Sequence, residues 1–158
     1  MQKLQGPLSN KGAARGARVP GWSAAEFPKA VVSFSAACDL SSRDGDNQHD
    51  VQQFGMDIEN YTNSSDLGYQ YSVSPIALVA AATNIPPIRL YATQMDPVPH
   101  QQAEAMRDAL ISHGGVDVLE WTIPGINLHA FNYWHTLNSL TGNYVSVEVI
   151  EFLQSQLP

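Results

Sequence analysis

"LYATQMDPVPHQQAEAMRDAL", residues 90–110, runs from apolar residues through a loop with a single aspartate into a helical pattern. Its upstream part belongs to "PPIRLYATQ" (86–94), which reads as a strand. The prolines stand before the strand, where no ladder donor is lost. Its downstream part belongs to "PHQQAEAMRDALISHGG" (99–115), the clearest helix of the chain. There Ala103, Met106, Ala109 and Leu110 recur at helical spacing, and Gly114 and Gly115 supply a stop. Asp96 falls in the loop between strand and helix.

Outward from this unit, "KAVVSFSAACDL" (29–40) is a short apolar run rich in β-branched residues and reads as a buried strand ending at Asp39. Residues 41–72 are polar, with "SSRDGDNQHD" as a loop and a short helix over "HDVQQFGMDIENY". "SPIALVAAAT" (74–83) opens with Ser-Pro, a helix-starting signal. "VDVLEWTIP" (116–124) alternates and reads as a third strand. "NYVSVEVIEFLQSQL" (143–157) places Val147, Ile150, Leu153 and Leu157 on one helical face. Strands and helices in alternation imply parallel strands with right-handed crossovers, an α/β class. Chemistry in such sheets sits beyond the carboxyl ends of the strands.

That rule bears on "IPGINLHAFNYW" (123–134), where one histidine, His129, lies between a Pro-Gly turn and a run of aromatics. In isolation it reads as a core or loop histidine. Placed just after the third strand, it projects at the same sheet edge as Asp96.

The chain has 158 residues, about one domain's worth, at 44% hydrophobic and 15% charged, which is globular rather than disordered. Its formal net charge is -7. Lys3, Lys11, Arg15, Arg18, Lys29 and Arg43 precede position 44, and beyond it only Arg89 and Arg107 oppose thirteen carboxylates. Such a surface repels phosphate backbones, so nucleic acid is not an expected partner. Residues 1–28 carry Gly, Pro, Ser and basic residues without periodicity and read as an irregular arm ahead of the domain at 29–158. Cys38 is the single cysteine, which excludes an internal disulfide and a cysteine-based zinc site and leaves a buried, inert thiol. No stretch approaches the roughly 20 apolar residues of a membrane helix, and the start holds no signal-peptide core. The expectation is a soluble, cytoplasmic chain, in which the sequons at Asn60 and Asn63 carry no glycan.

In order from Lys29 onward, "KAVVSFSAACDL", "SPIALV", "PPIRLYATQMDPVPHQQAEAMRDALISHG" and "VDVLEWTIPGINLHAF" resemble the α/β-hydrolase superfamily, in its carboxylesterase and lipase-like branch. The resemblance is to the C-terminal half only, beginning after the nucleophile helix. It implies a partial α/β-hydrolase fold of about three parallel strands with flanking helices. By the same resemblance Asp96 is the acid and His129 the base of a Ser-Asp-His triad. Such a pair makes serine nucleophilic: the imidazole removes its proton and the carboxylate fixes the ring's tautomer. The order acid before histidine suits this fold.

The departures are specific. The family's Gly-x-Ser-x-Gly is absent, as is its His-Gly-Gly oxyanion segment, and "LYATQMD" has Ala-Thr-Gln where many relatives place a glycine before the acid. The nearest imitation, Gly21-Trp22-Ser23-Ala24-Ala25, has no strand before it and too few residues after it for the intervening helix. The implied function is therefore that of an esterase-like hydrolase, acting on a small-molecule ester only when a nucleophile segment completes it. Alternatives are a non-catalytic remnant, one half of a split enzyme, or a binding or assembly module. No cofactor or metal is expected: "DGDNQHD" has His49 where a calcium loop needs glycine, and His129 and His135 are not at a helical ligand spacing. His100 and His113 flank the long helix as capping or solvent-facing residues. Phe131, Tyr133 and Trp134 either line an acyl pocket or pack beneath the histidine loop. In the resembled fold the strand at "AVVSFSAA" pairs on one side with the strand that carries the serine. That neighbour is missing here, which predicts self-association through an exposed sheet edge, with the arm at 1–28 folding over it as the alternative.

Overall fold

Three short apolar segments, β1 (Val31–Phe34), β2 (Ile88–Thr93) and β3 (Val118–Ile123), pair in parallel in the order β1-β2-β3. Ile88 stands opposite both Val31 and Val118, and Tyr91 opposite both Phe34 and Trp121. The result is a partial α/β fold. A computed structural model describes residues 28–124, 128–139 and 141–157. The basic arm at 1–28, apart from Pro28, lies outside these residues, as do Ser23 and Gly125 of the Pro-Gly turn.

Strand alternation sends successive side chains to opposite faces. Ile88, Leu90 and Ala92 meet Ala103 and Leu110 of α4 (Gln101–Ser112) and Val79 of α3 (Pro75–Val79), with Val31 and Met106 packed at the margin. On the other face Tyr91, Trp121 and Ile123 meet Val145 and Val149 of α5 (Val145–Ser155) and Ala130 of a single 3-10 turn (Ala130–Tyr133). Phe34 stacks on Tyr91 with 5.1 Å between ring centroids, and Trp121 meets Tyr91 edge-on at 5.9 Å.

The helix of the polar stretch is longer than its composition suggested. It forms α1 (Gln48–Thr62), followed by α2 (Leu67–Ser72), which the sequence did not reveal. Both are set by caps. Asn47 accepts from the His49 amide, Asn63 ends α1 in the left-handed conformation, and Asp66 accepts from the Gly68 and Tyr69 amides. Phe54 and Ile58 pack α1 against Leu40.

Two expectations are corrected. The strand expected over 29–40 stops at Phe34, and Ser35 turns away at φ 51°. Beyond it the backbone amides bond to side chains instead of a ladder. Cys38 and Asp39 both donate to Gln102 Oε1, at 3.0 and 2.6 Å, and Leu40 donates to Ser74 Oγ at 2.8 Å. The face of α5 that packs inward is Val145, Val149 and Phe152, whereas Val147, Ile150, Leu153 and Leu157 are exposed. The phase of the helix is fixed at its entry, where the Val145 amide bonds Thr136 O and the Ser146 amide bonds Trp134 O. Arg89, held by Asp117 at 2.7 Å, then lies 4.1 Å over the Phe152 ring.

Among the described residues no helix is long and apolar enough to cross a membrane. No strand pairs with the outer edge of β1 among them either, and all four of its residues are only partly buried. Unpaired edges of this kind recruit other chains. Sedimentation at several concentrations is expected to show association. A concentration-independent monomer with slowly exchanging Val32 and Phe34 amides would show the edge to be covered within the chain.

Burial pushes the Cys38 thiol up to about 11, with Asp39 adding to the rise, and the Tyr91 phenol up to about 12, helped by Glu148. For both groups the fold favours the neutral form. Their contribution is thus complete below the ordinary values of 9.0 and 10.0 and is lost as pH rises through the folded ones. Urea midpoints are expected to fall from pH 9 upward, and the fall between 9 and 11 to flatten in Cys38→Ala. The thiol should also resist alkylation at pH 8 in the folded protein, since the thiolate is the nucleophile.

Candidate acid–histidine site

The site grows from the ends of the strands. β2 ends at Thr93, whose hydroxyl donates to Leu128 O at 2.6 Å and so ties the histidine loop to the sheet. Three residues later Asp96 is buried, with none of its side chain exposed. A carboxylate in that position is costly unless its oxygens are satisfied. Here each is. Oδ1 accepts from the Val98 amide at 2.9 Å and meets His129 Nδ1 at 2.9 Å, and Oδ2 accepts the Ser35 hydroxyl.

His129 immediately precedes the 3-10 turn, with its side chain 40% exposed and Phe131 stacked on the ring at 5.5 Å. A carboxylate oxygen can only accept, so Nδ1 carries the proton and, in the neutral ring, Nε2 presents a lone pair. Nε2 makes no hydrogen bond to any described residue, and no serine among them lies against it. Asp96 and His129 are thus brought together, 33 positions apart in sequence, in the geometry that orients a general base.

The other histidines stand apart. His100 stands at the N-cap position of α4 without a side-chain cap bond, with Nε2 3.9 Å from Asp46 and 3.8 Å from Glu104, and His113 ends that helix. His135 is exposed in a turn. No group of three His, Cys, Asp or Glu side chains able to hold a metal occurs among the described residues. Tyr133 and Trp134 pack beneath the loop, while Phe131 is 55% exposed beside the imidazole.

An open cleft of about 530 Å³ reaches His129. Its lining is mostly apolar, with Leu40, Phe54, Ile58, Tyr61, Val73 and, from the acid loop, Pro97 and Val98, and it includes the acidic Asp57. A smaller hollow of about 250 Å³, behind the acid loop and lined by Asp46, Asp50 and His100, does not touch His129. Helix α1, which forms much of the apolar wall, is seated by Arg43. Its guanidinium bonds Leu40 O and Gln70 Oε1 at 2.9 and 2.8 Å and lies so close to Gly55 that an added Cβ there would meet Nε at 2.9 Å.

Sequence reasoning missed three residues that build this site. Ser35 and Thr93 are strand-end residues whose hydroxyls signal nothing by type or spacing. Gln102 is different. It stands in the stretch that carries the resemblance, and its physical role is now plain, because its carbonyl oxygen holds the loop after β1 by two amides. Comparison with protein-family models, with curated proteins and with solved structures gives no match.

Gln102 is 1% exposed, so Gln102→Leu would leave two backbone donors without their acceptor. At about 1–3 kcal/mol for each, urea unfolding should show a loss of roughly 2–6 kcal/mol. Gln101→Ala, beside it but not part of this anchor, should cost under about 1 kcal/mol.

Proposed function

We propose that this chain is the C-terminal portion of an α/β-hydrolase and carries the acid and the base of a carboxylic-ester hydrolase. Its serine comes from outside the described residues, and the described part alone is inactive. The observation that carries this reading is the Asp96–His129 pair at 2.9 Å, in which Nε2 bonds no described residue and His129 lines a largely apolar cleft. The element order supports it too, with the acid after β2 and the histidine after β3 of a parallel sheet.

In the proposed reaction His129 Nε2 takes the proton of the incoming serine hydroxyl as its oxygen adds to the ester carbonyl. Asp96 steadies the imidazolium that results. That proton then passes to the departing alcohol, leaving an acyl-serine. Water, deprotonated by the same nitrogen, adds to the acyl carbonyl, and the proton returns to the serine oxygen as its bond to the acyl carbon breaks and the acid leaves. The cleft takes the apolar part of the ester through Phe54, Ile58 and Val98. The partner is a small molecule rather than a nucleic acid. Both cations beyond position 44 are spent on carboxylates, Arg89 on Asp117 and Arg107 on Asp108 and Glu120.

The test is complementation. The purified chain is assayed on p-nitrophenyl butyrate and then together with, or fused to, the N-terminal half of an esterase carrying Gly-x-Ser-x-Gly. Alone it should show no turnover that Ser23→Ala removes. Completed, it should label with a fluorophosphonate at the supplied serine, and His129→Gln and Asp96→Asn should cut that labelling by at least about 100-fold. Labelling of a folded hybrid that is indifferent to His129→Gln would remove the base from its proposed role.

A further inference from the structure

Ser35 occupies a conformation that a serine seldom adopts. Its φ is 51°, in the left-handed region that disfavours any side chain with a Cβ. Its amide still bonds Tyr91 O at 2.8 Å, so the turn begins on the last rung of the β1–β2 ladder. Residues held in such backbone persist where the surroundings over-determine them. Here the surroundings are two hydrogen bonds made by one atom. Ser35 Oγ accepts the Ala130 amide at 2.7 Å and donates its proton to Asp96 Oδ2.

Those two bonds span 95 and 61 positions of sequence and reach both halves of the acid–histidine pair. Because the Ala130 amide uses a lone pair of Oγ, the hydroxyl proton goes to Oδ2, which must accept. The carboxyl plane is then fixed, with Oδ1 turned to His129 Nδ1 and the Val98 amide. The Ala130 amide belongs to the peptide that joins His129 to Ala130, so the same oxygen also sets where the imidazole is hung. Only a side chain that donates and accepts from one atom can do both. The small neighbours and the strand-end turn resemble a nucleophile's setting. Yet the hydroxyl is engaged by the acid and the loop amide, and it makes no bond to the imidazole.

We infer that Ser35 is a positioning residue for the pair. It locks the Asp96 carboxylate and the His129–Ala130 peptide together, and so keeps His129 in the Nδ1–H tautomer that leaves Nε2 free to accept a proton. The inference deepens the hydrolase reading and rests on it.

The experiment needs no turnover. Ring ¹⁵N shifts of His129 are recorded in the labelled full chain, assigned by their loss in His129→Gln, and compared in Ser35→Gly, Ser35→Ala and Asp96→Asn. Glycine relieves the left-handed backbone and alanine does not, but both remove the hydroxyl. Strain and hydrogen bonding are thereby separated. Both serine variants should move the neutral ring from Nδ1–H to a mixture in which Nε2–H prevails. The Ala130 amide should exchange about tenfold faster, the size expected for one lost hydrogen bond. Ser35→Cys should recover part of the Nδ1–H population. A folded Ser35→Gly protein that keeps the Nδ1–H tautomer of the parent overturns the inference while leaving the pair intact, provided Asp96→Asn shifts it. If Asp96→Asn also leaves the tautomer unchanged, the pair itself is not formed in solution, and the hydrolase reading falls with it.

Discussion

A buried carboxylate at the end of a parallel sheet is the constraint around which this molecule is arranged. Asp96 can lie there only because both of its oxygens are occupied, by a backbone amide, an imidazole and a hydroxyl. Each of those donors comes from a different place: the acid loop itself, the loop after β3 and the end of β1. The three loops at the carboxyl edge therefore cannot be displaced independently. Removing one donor from a buried charge costs more than an ordinary hydrogen bond, because the remaining partners are left with an unbalanced acceptor.

The sheet is small, so the edge is braced by side chains that reach between elements. Gln102 holds the loop after β1 from the start of α4, and Ser74 holds the same loop from the start of α3 while donating to Gln70 O. Thr93 holds the histidine loop from the end of β2. These are buried polar contacts with every partner named, and they set one arrangement of loops where apolar packing alone would allow several. Hydrophobic packing supplies the rest, on two faces, through Leu90 with Leu110 and through Tyr91 and Ile123 with Val149.

The chemistry is asymmetric. Nδ1 of the imidazole is engaged by Asp96, whereas Nε2 bonds no described residue, and His129 lines a largely apolar cleft. A ring oriented in this way, with Nε2 unbonded among the described residues, can accept a proton and return it.

The sequence alone determined the order of the three strands and of the helices other than α2, and the placing of Asp96 and His129 beyond successive strands. These follow from periodicity and from Pro and Gly punctuation, which act within a few residues. It also marked Cys38 as buried, since the thiol sits in an apolar run. Only the tertiary structure decided where β1 stops, which face of α5 turns inward, and that Ser35 joins the acid to the histidine loop. The apolar run at 29–40 could not announce its own end, because the amides of Cys38 and Asp39 are captured by Gln102 from more than sixty positions away. The two apolar stripes of α5 are alike in composition, and the bonds from Val145 and Ser146 to Thr136 and Trp134 choose between them. Ser35 carries no local signal at all. A hydroxyl gains its role only from what the fold places on either side of it, and those partners meet when the sheet brings three strand ends to one edge.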